Sequence, residues 1–252
     1  MQESHTGNVN STYFEGYYKE IWRRLIPEAL THAEVEFLIN YCSLKPGSMV
    51  LDLMCGYGRH ALALGRKGIR VTAIDNLADY INEVKEQIVK EELPVTVFQA
   101  DVIEFQPQGL FDLVICLGNN LSFFDEQETR KLFSTIAAHL IPGGLFIANT
   151  WTLAETAFRK FSEKASSDVG GLKFSTDSKI FFHPTRIETT TTIETPDGES
   201  EMKTAVDYIY TLFETEDLLR QAGFTVKVVY SIPGKKKFTL GEPRAYIIAV
   251  KN

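Results

Sequence analysis

The sequence predicts an α/β fold: a doubly wound, mostly parallel, seven-stranded sheet with a reversed last strand, plus a small antiparallel β cap insert. Three observations carry this reading. Four short apolar runs, SMVLDLM, RVTAID, VTVFQAD and FDLVICLG, are rich in β-formers. Helical patterns separate the first three and follow the fourth, the rhythm of βαβ crossovers in a parallel sheet covered on both faces. At the end of the chain, FTVKVVYSI and RAYIIAVKN are joined by a loop too short for a crossover helix, so they should pair antiparallel.

Residues 1–46 read as an N-terminal helical lid. A polar start precedes YYKEIWRRLIPEAL, interrupted at Pro27, and HAEVEFLINYCSL, with apolar residues at helical spacing. KPG at 45–47 is a turn signal. Residues 47–151 and 213–252 form the main domain, with PGG at 142–144 breaking the chain before a fifth strand, LFIANTW. Residues 152–212 are a substrate-cap insert. Residues 152–164 have a helical pattern; 172–213 alternate and are Thr-rich, predicting a hairpin of antiparallel strands around PDGE. The main domain resumes with TEDLLRQAG, with Thr215 as N-cap and Gly223 at its end.

The chain has 252 residues, 44% hydrophobic and 23% charged, the composition of a globular protein. Its net charge of −7 argues against long polyanionic partners, whose binding depends on Lys and Arg neutralising phosphates, so no nucleic-acid partner is expected. Cys42, Cys55 and Cys116 are odd in number, and no Cys/His cluster has ligand spacing; neither a disulfide framework nor a metal site is predicted. The start lacks a signal-peptide pattern and no apolar run reaches membrane-span length, so a cytoplasmic location and no membrane partner are expected.

The strongest local signal is VLDLMCGYGRHALALG at 50–65: a buried strand, a glycine loop at Gly56 and Gly58, then a helix. Glycines let the backbone approach a ligand closely. The pattern also satisfies the loose dinucleotide fingerprint, which leaves a nicotinamide-dependent oxidoreductase open. Three acids discriminate. Asp52 precedes the first glycine by four residues; beside a pyrophosphate it would repel, but it attracts a ligand carrying an ammonium and a sulfonium. Asp75, with Asn76, ends the second strand about 20 residues past the glycine loop, where an acid takes ribose hydroxyls. Asp101 ends the third strand and can accept a hydrogen bond from an adenine amino group.

The ordered series LDLMCGYG, TAID, QADV, FDLVICLG and LIPGG resembles the class I S-adenosylmethionine-dependent methyltransferases, which have a Rossmann-like sheet with a reversed last strand. The resemblance covers roughly residues 35–150 and 213–252. Within that family, VICLGNNLSFF is similar to the glycine and sarcosine N-methyltransferases and related small-molecule enzymes. The resemblance implies S-adenosyl-L-methionine as cofactor and S-adenosyl-L-homocysteine as product. It places Asp52, Gly56 and Gly58 around the methionyl part, Asp75 at the ribose, Asp101 and Val102 at adenine, and Leu117 with Gly118 beside the sulfonium; Cys55 and Asn76 are counted with them as cofactor-binding. The glycine enzymes hold their substrate carboxylate with an arginine after the first helix; here ALTHAEVEF has none, so glycine is not carried over as the acceptor.

Transfer from a sulfonium is an in-line displacement that works largely by positioning, and an amine acceptor needs no strong base. No general base stands out, so a nitrogen of a small-molecule acceptor is preferred over an oxygen. The aromatic cluster Tyr13, Tyr17, Tyr18 and Trp22 is read as a lid, with Tyr13 on the cofactor and Tyr17 on the substrate side; core packing of an amphipathic helix is the competing reading. Asn119 and Asn120 follow the fourth strand on the expected methyl side. His183 is the one histidine of the insert, and a structural role competes with a functional one. Arg59 and His60 are read as first-turn surface, and Lys235–Lys237 as a solvated loop. A [DN]PP[YFW] motif of base-directed enzymes is absent after the fourth strand. A protein or peptide methyltransferase and a non-catalytic cofactor-binding protein remain as alternatives.

Overall fold

The computed structural model describes residues 8–252; the polar start, residues 1–7, lies outside the described residues. A 3-10 turn at Val9–Thr12 leads into helices α1 (Tyr17–Leu25) and α2 (Glu28–Tyr41), separated by Pro27. Proline has no N–H to donate and fixes φ, so it suits the boundary where α2 begins. Five strands then alternate with helices: β1 (Met49–Leu53), α3 (Arg59–Gly65), β2 (Arg70–Asp75), α4 (Ala78–Glu91), β3 (Val95–Gln99), β4 (Phe111–Cys116), α5 (Glu126–His139) and β5 (Leu140–Thr150). After α6 (Ala154–Lys160) come four strands, β6 (Lys164–Val169), β7 (Leu172–Phe182), β8 (Thr185–Glu194) and β9 (Ser200–Tyr208). The chain closes with α7 (Leu212–Gln221), β10 (Phe224–Ile232), β11 (Lys236–Lys237) and β12 (Ala245–Lys251).

The main sheet has the order β11-β10-β12-β5-β4-β1-β2-β3. Strands β1 to β5 pair in parallel, while β12 runs antiparallel to both β5 and β10, the reversed last strand. Consecutive residues of β1 point to opposite faces: Val50 joins the core under α2, α3 and α4, and Leu51 the core under α5 and α7. The strand order reverses between β1 and β4. At that point the crossover helices leave on opposite faces and a crevice opens at the carboxyl ends of the strands.

Four local expectations are corrected. The sheet has eight strands instead of seven, because Lys236–Lys237 turns back to pair with Tyr230 and Ile232 at the edge. The Pro-Gly-Gly does not end an element: β5 starts at Leu140, and its register with β4 jumps from Phe111↔Leu140 to Leu113↔Leu145, absorbing residues 141–144 as a bulge. The insert is a four-stranded antiparallel sheet, β6-β7-β8-β9, rather than one hairpin, since polar Lys164–Val169 adds an edge strand on β7. Finally, α7 begins four residues earlier than expected, with Thr211 in place of Thr215 as its N-cap. Thr211 accepts from the Glu214 N–H while Glu214 reaches back to the Thr211 N–H, a reciprocal cap that overrides the β-prone YIYTLF; Thr215 lies buried inside the helix.

Thr211→Ala is expected to cost about 1 kcal/mol of stability through loss of this cap, read as a lower denaturant midpoint at unchanged slope.

Candidate functional site

Strand β1 turns through Met54–Tyr57 into α3 at the crevice. Gly56 has φ +54°, and a Cβ added there would meet nothing within 4 Å, so its open side forms part of a cradle. Gly58 does different work: at φ +75° an added Cβ would come within 2.7 Å of Val84 Cγ2, so this glycine lets α3 pack against α4 and does not line the cleft.

Asp75 at the end of β2 clasps this loop. Its Oδ2 accepts the Gly56 N–H at 2.8 Å and its Oδ1 the Leu77 N–H at 3.0 Å. Burial pushes its carboxyl up, and those N–H groups oppose the shift. Asp52 lies behind the loop rather than on the cleft wall and is 1% exposed. Burial pushes its carboxyl up to about 7, with Arg59 opposing and Asp75 adding. Its Oδ2 is a fully buried oxygen with no hydrogen-bond partner. Buried polar atoms are nearly always paired, so an orphaned carboxylate oxygen beside a glycine cradle suits a positively charged ligand.

The cleft has two lobes sharing Asn10, Met54, Asn76 and Phe123. Cys55, Gly56, Asp75, Leu117, Gly118 and Asn120 line the first, which encloses about 640 Å³ partly open to solvent. Asp101 and Val102 line the second. Asp101 Oδ1 accepts the Ile103 N–H at 2.8 Å, holding the turn after β3. Of the residues singled out from sequence, the structure therefore brings Cys55, Gly56, Asp75, Asn76, Asp101, Val102, Leu117, Gly118 and Asn120 to one cleft.

Trp22, Arg59 and His60 also line the first lobe, whereas Tyr13, Tyr17, Asn119 and His183 line neither. Tyr13 is buried against the cap, its hydroxyl 2.8 Å from Thr191 Oγ1. Tyr17 opens α1 and hydrogen-bonds Glu199 of the cap. His183 lies exposed in the turn between β7 and β8. The amide of Asn119 holds its own loop: its Oδ1 accepts from the Trp151 N–H at 2.8 Å and from the hydroxyls of Thr150 and Thr152, and its Nδ2 donates to Ser122. Asn149, unremarked in the sequence, accepts the N–H groups of Gly118 and Asn119.

An N-terminal strap closes the cleft from above. Asn10 makes a two-way clasp with the backbone of Val206 in β9, at 2.9 and 2.8 Å, and Asn76 donates to the Ser11 carbonyl. Phe14 and Trp22 line the first lobe. Lys19 and Arg23 of α1 both pair with Glu83 of α4, and the Arg23 guanidinium sits 4.7 Å over the ring of Tyr57 in the glycine loop.

The reading of Arg59 and His60 as surface is overturned. Both converge on Glu34 of α2, itself 2% exposed: His60 Nε2 lies 2.9 Å and Arg59 Nη1 2.5 Å from Oε2, and the Tyr246 hydroxyl donates to Oε1 at 2.6 Å. Burial alone would raise the Glu34 carboxyl, but His60, Arg59 and Tyr246 together hold it down at about 2. The signal was present in the sequence, since Glu34 shares the buried face of α2 with Thr31, Val35 and Leu38. Among the described residues no cluster of three His, Cys, Asp or Glu could hold a metal, and no helix is long and apolar enough to cross a membrane.

Residues 50–144 match the model of a methyltransferase domain. The chain is 27% identical over 166 residues to an S-adenosyl-L-methionine-dependent Diels-Alderase, iliD, of Neonectria sp. (strain DH2), covering 59% of this chain and 67% of that one. It is 29% identical over 146 residues to a glycine/sarcosine N-methyltransferase of Parasynechococcus marenigrum (strain WH8102), covering 56% of this chain and 51% of that protein. The chain spans about half the length of most curated relatives it matches. Its fold is that of an S-adenosylmethionine-dependent methyltransferase from Clostridium acetobutylicum ATCC 824, with TM-score 0.81 at 17% identity over 94% of this chain and 96% of the other. The amino pentose methyltransferase CalS10 of Micromonospora echinaspora superposes with TM-score 0.71 at 18% identity, over 94% and 98%.

The two buried carboxylates respond to pH in opposite senses. A raised carboxyl stabilises the fold below its unfolded pKa and loses that contribution as pH rises towards about 7. Ligand-free Asp52→Asn is therefore expected to gain roughly 1–3 kcal/mol over the parent at pH 8 and nothing near pH 4, in denaturation series at both values. Glu34, held at about 2, contributes above pH 4.5 and loses that contribution as pH falls towards 2. Glu34→Gln should cost about 3 kcal/mol at pH 7, with a smaller deficit in acid; an equal loss at both pH values would show that the charge is immaterial.

Proposed function

We propose that this chain is a class I S-adenosylmethionine-dependent methyltransferase and that it methylates a nitrogen of a small-molecule acceptor enclosed between the crevice, the N-terminal helices and the cap insert (residues 152–212). The observation that carries this reading is the unpartnered Asp52 Oδ2 behind an open glycine cradle that Asp75 clasps. A dinucleotide would bring a pyrophosphate to the same loop, beside two buried acids. The one cation facing that loop from α3, Arg59, is already engaged by Glu34. The cradle suits the ammonium end of S-adenosylmethionine and opposes a dianion.

S-adenosylmethionine supplies an activated methyl group when bound. The chain's residues then divide the work of holding it. Gly56 and Cys55, with Asp52 behind them, are assigned to the methionyl end, Asp75 and Asn76 to the ribose hydroxyls, and Asp101 with Val102 to adenine. Leu117 and Gly118 are assigned to the sulfonium side, kept in place by the Asn149 amide. Phe14 and Trp22 exclude water from that end, which strengthens the electrostatic contacts within. Small-molecule acceptors are consistent with relatives named as a glycine/sarcosine N-methyltransferase and a ubiquinone biosynthesis O-methyltransferase, and with a structural neighbour named as an amino pentose methyltransferase. A cytoplasmic location fits the absence, among the described residues, of a membrane-crossing helix.

A second reading, in which the cofactor is bound without methyl transfer, is suggested by the relative named as a Diels-Alderase. Calorimetry with S-adenosylmethionine combined with detection of S-adenosylhomocysteine over a panel of small amines separates the two. Binding and product formation are expected; binding without product favours the second reading, and no binding removes both. Asp75→Ala is expected to weaken cofactor affinity at least tenfold in the same calorimeter, because it removes both the ribose acceptor and the clasp on Gly56.

A further inference from the structure

The cap sheet contributes one carboxylate that the cofactor assignments do not use. Asp207 lies on β9, opposite Ile187 of β8 and on the same face of the strand as buried Ala205. Its Oδ1 accepts the Ser122 hydroxyl at 2.5 Å. Among the described residues no hydrogen bond reaches its Oδ2, which, unlike that of Asp52, is not sealed away. Ser122 stands in the turn after β4, held from behind by the Asn119 amide, which also fixes the backbone at Trp151.

An aromatic arc starts at that point. Trp151 packs against Trp22 at 5.8 Å between ring centroids, Trp22 against Phe14 at 6.0 Å, Phe14 against Tyr18 at 5.2 Å, and Tyr18 against Tyr13 at 4.5 Å. Burial pushes both phenols up, and the charge of Asp207 adds to the shift in each. Asp207 is bonded to Ser122 at the Trp151 end of the arc, and it shares its face of the cap sheet with Thr191, the hydrogen-bond partner of Tyr13 at the other end. Phe14 and Trp22 belong at once to the arc and to the first lobe of the cofactor cleft. Aromatic faces joined by one deep carboxylate form a recognition surface for an ammonium ion: the rings attract the cation through their quadrupoles, and the carboxylate pairs with its N–H.

We propose that Asp207 anchors the protonated amine of the acceptor and takes its proton, so that this protein selects amine acceptors. The proposal rests on the methyl-transfer reading above and names the acceptor class. In the step assigned to Asp207, an N–H bond of the ammonium breaks, an O–H bond forms on the carboxylate, and the nitrogen keeps the electron pair that the methylation requires; ammonium and carboxylate become amine and carboxylic acid with no net change in charge. Burial raises the Asp207 carboxyl to about 6, opposed by Ser122, which brings its proton affinity closer to that of an amine than an exposed aspartate would be.

The chain has two tryptophans, Trp22 and Trp151, and both stand in the arc, so intrinsic fluorescence reports on this place. Protein saturated with S-adenosylhomocysteine would be titrated with phenethylammonium and, separately, with its neutral isostere 2-phenylethanol. The unsubstituted protein is expected to bind the ammonium at least tenfold more tightly than the alcohol. In Asp207→Asn that ratio should fall to within twofold of unity, with the S-adenosylhomocysteine affinity unchanged in calorimetry; Ser122→Ala, which keeps the carboxylate, should retain the preference. Equal binding of the two probes by the unsubstituted protein, or an unchanged ratio in Asp207→Asn, overturns the assignment. The first comparison needs no variant and so does not depend on one folding. Failure to bind S-adenosylhomocysteine at all would instead overturn the cofactor reading on which the proposal stands.

Discussion

Glu34 sits on a helix outside the main sheet, yet the position of the glycine loop depends on it. Its two carboxylate oxygens reach His60 and Arg59 in the first turn of α3 and Tyr246 in the reversed strand β12. Three parts of the chain, distant in sequence, are thereby referred to one charge. Removing a charge from such a cluster leaves its partners buried without compensation, a larger loss than the pairing itself contributes. Arg59 lines the first lobe of the cleft, but its guanidinium is paired there with Glu34.

The same logic of opposed charges orders the rest of the site. Asp52 and Asp75 lie behind and beside the glycine loop; the N–H groups of Gly56 and Leu77 offset part of the cost at Asp75, yet burial raises both carboxyls. The fold thus carries an electrostatic cost in the ligand-free state that a cationic ligand offsets on binding. At Asp52 the ligand-free fold gives up stability, the pattern expected where strain is tolerated beside a ligand cleft.

Much of this was legible in the sequence because it rests on local signals. The strand runs, the acids at their ends and the glycine loop are short-range patterns, and Cys55, Gly56, Asp75, Asn76, Asp101, Val102, Leu117, Gly118 and Asn120 meet in one cleft as the strand order requires. What escaped was set by distant contacts. Arg59 and His60 look like solvated helix residues until α2 brings Glu34 to them, although an acid on the apolar face of HAEVEFL was a clue. Asn119 falls where an acceptor-facing amide would, but Thr150 at the end of β5, with Trp151 and Thr152 just beyond it, occupies it. Edge strands such as Lys164–Val169 and Lys236–Lys237 have polar sequences, and pairing with a neighbour, not hydrophobic pattern, makes them strands.

The two-way clasp between Asn10 and Val206 has a kinetic consequence. The strap that bears Asn10 borders both lobes of the cleft and is stitched to the cap on its far side, so passage into or out of the space beneath it depends on hydrogen bonds that must open together.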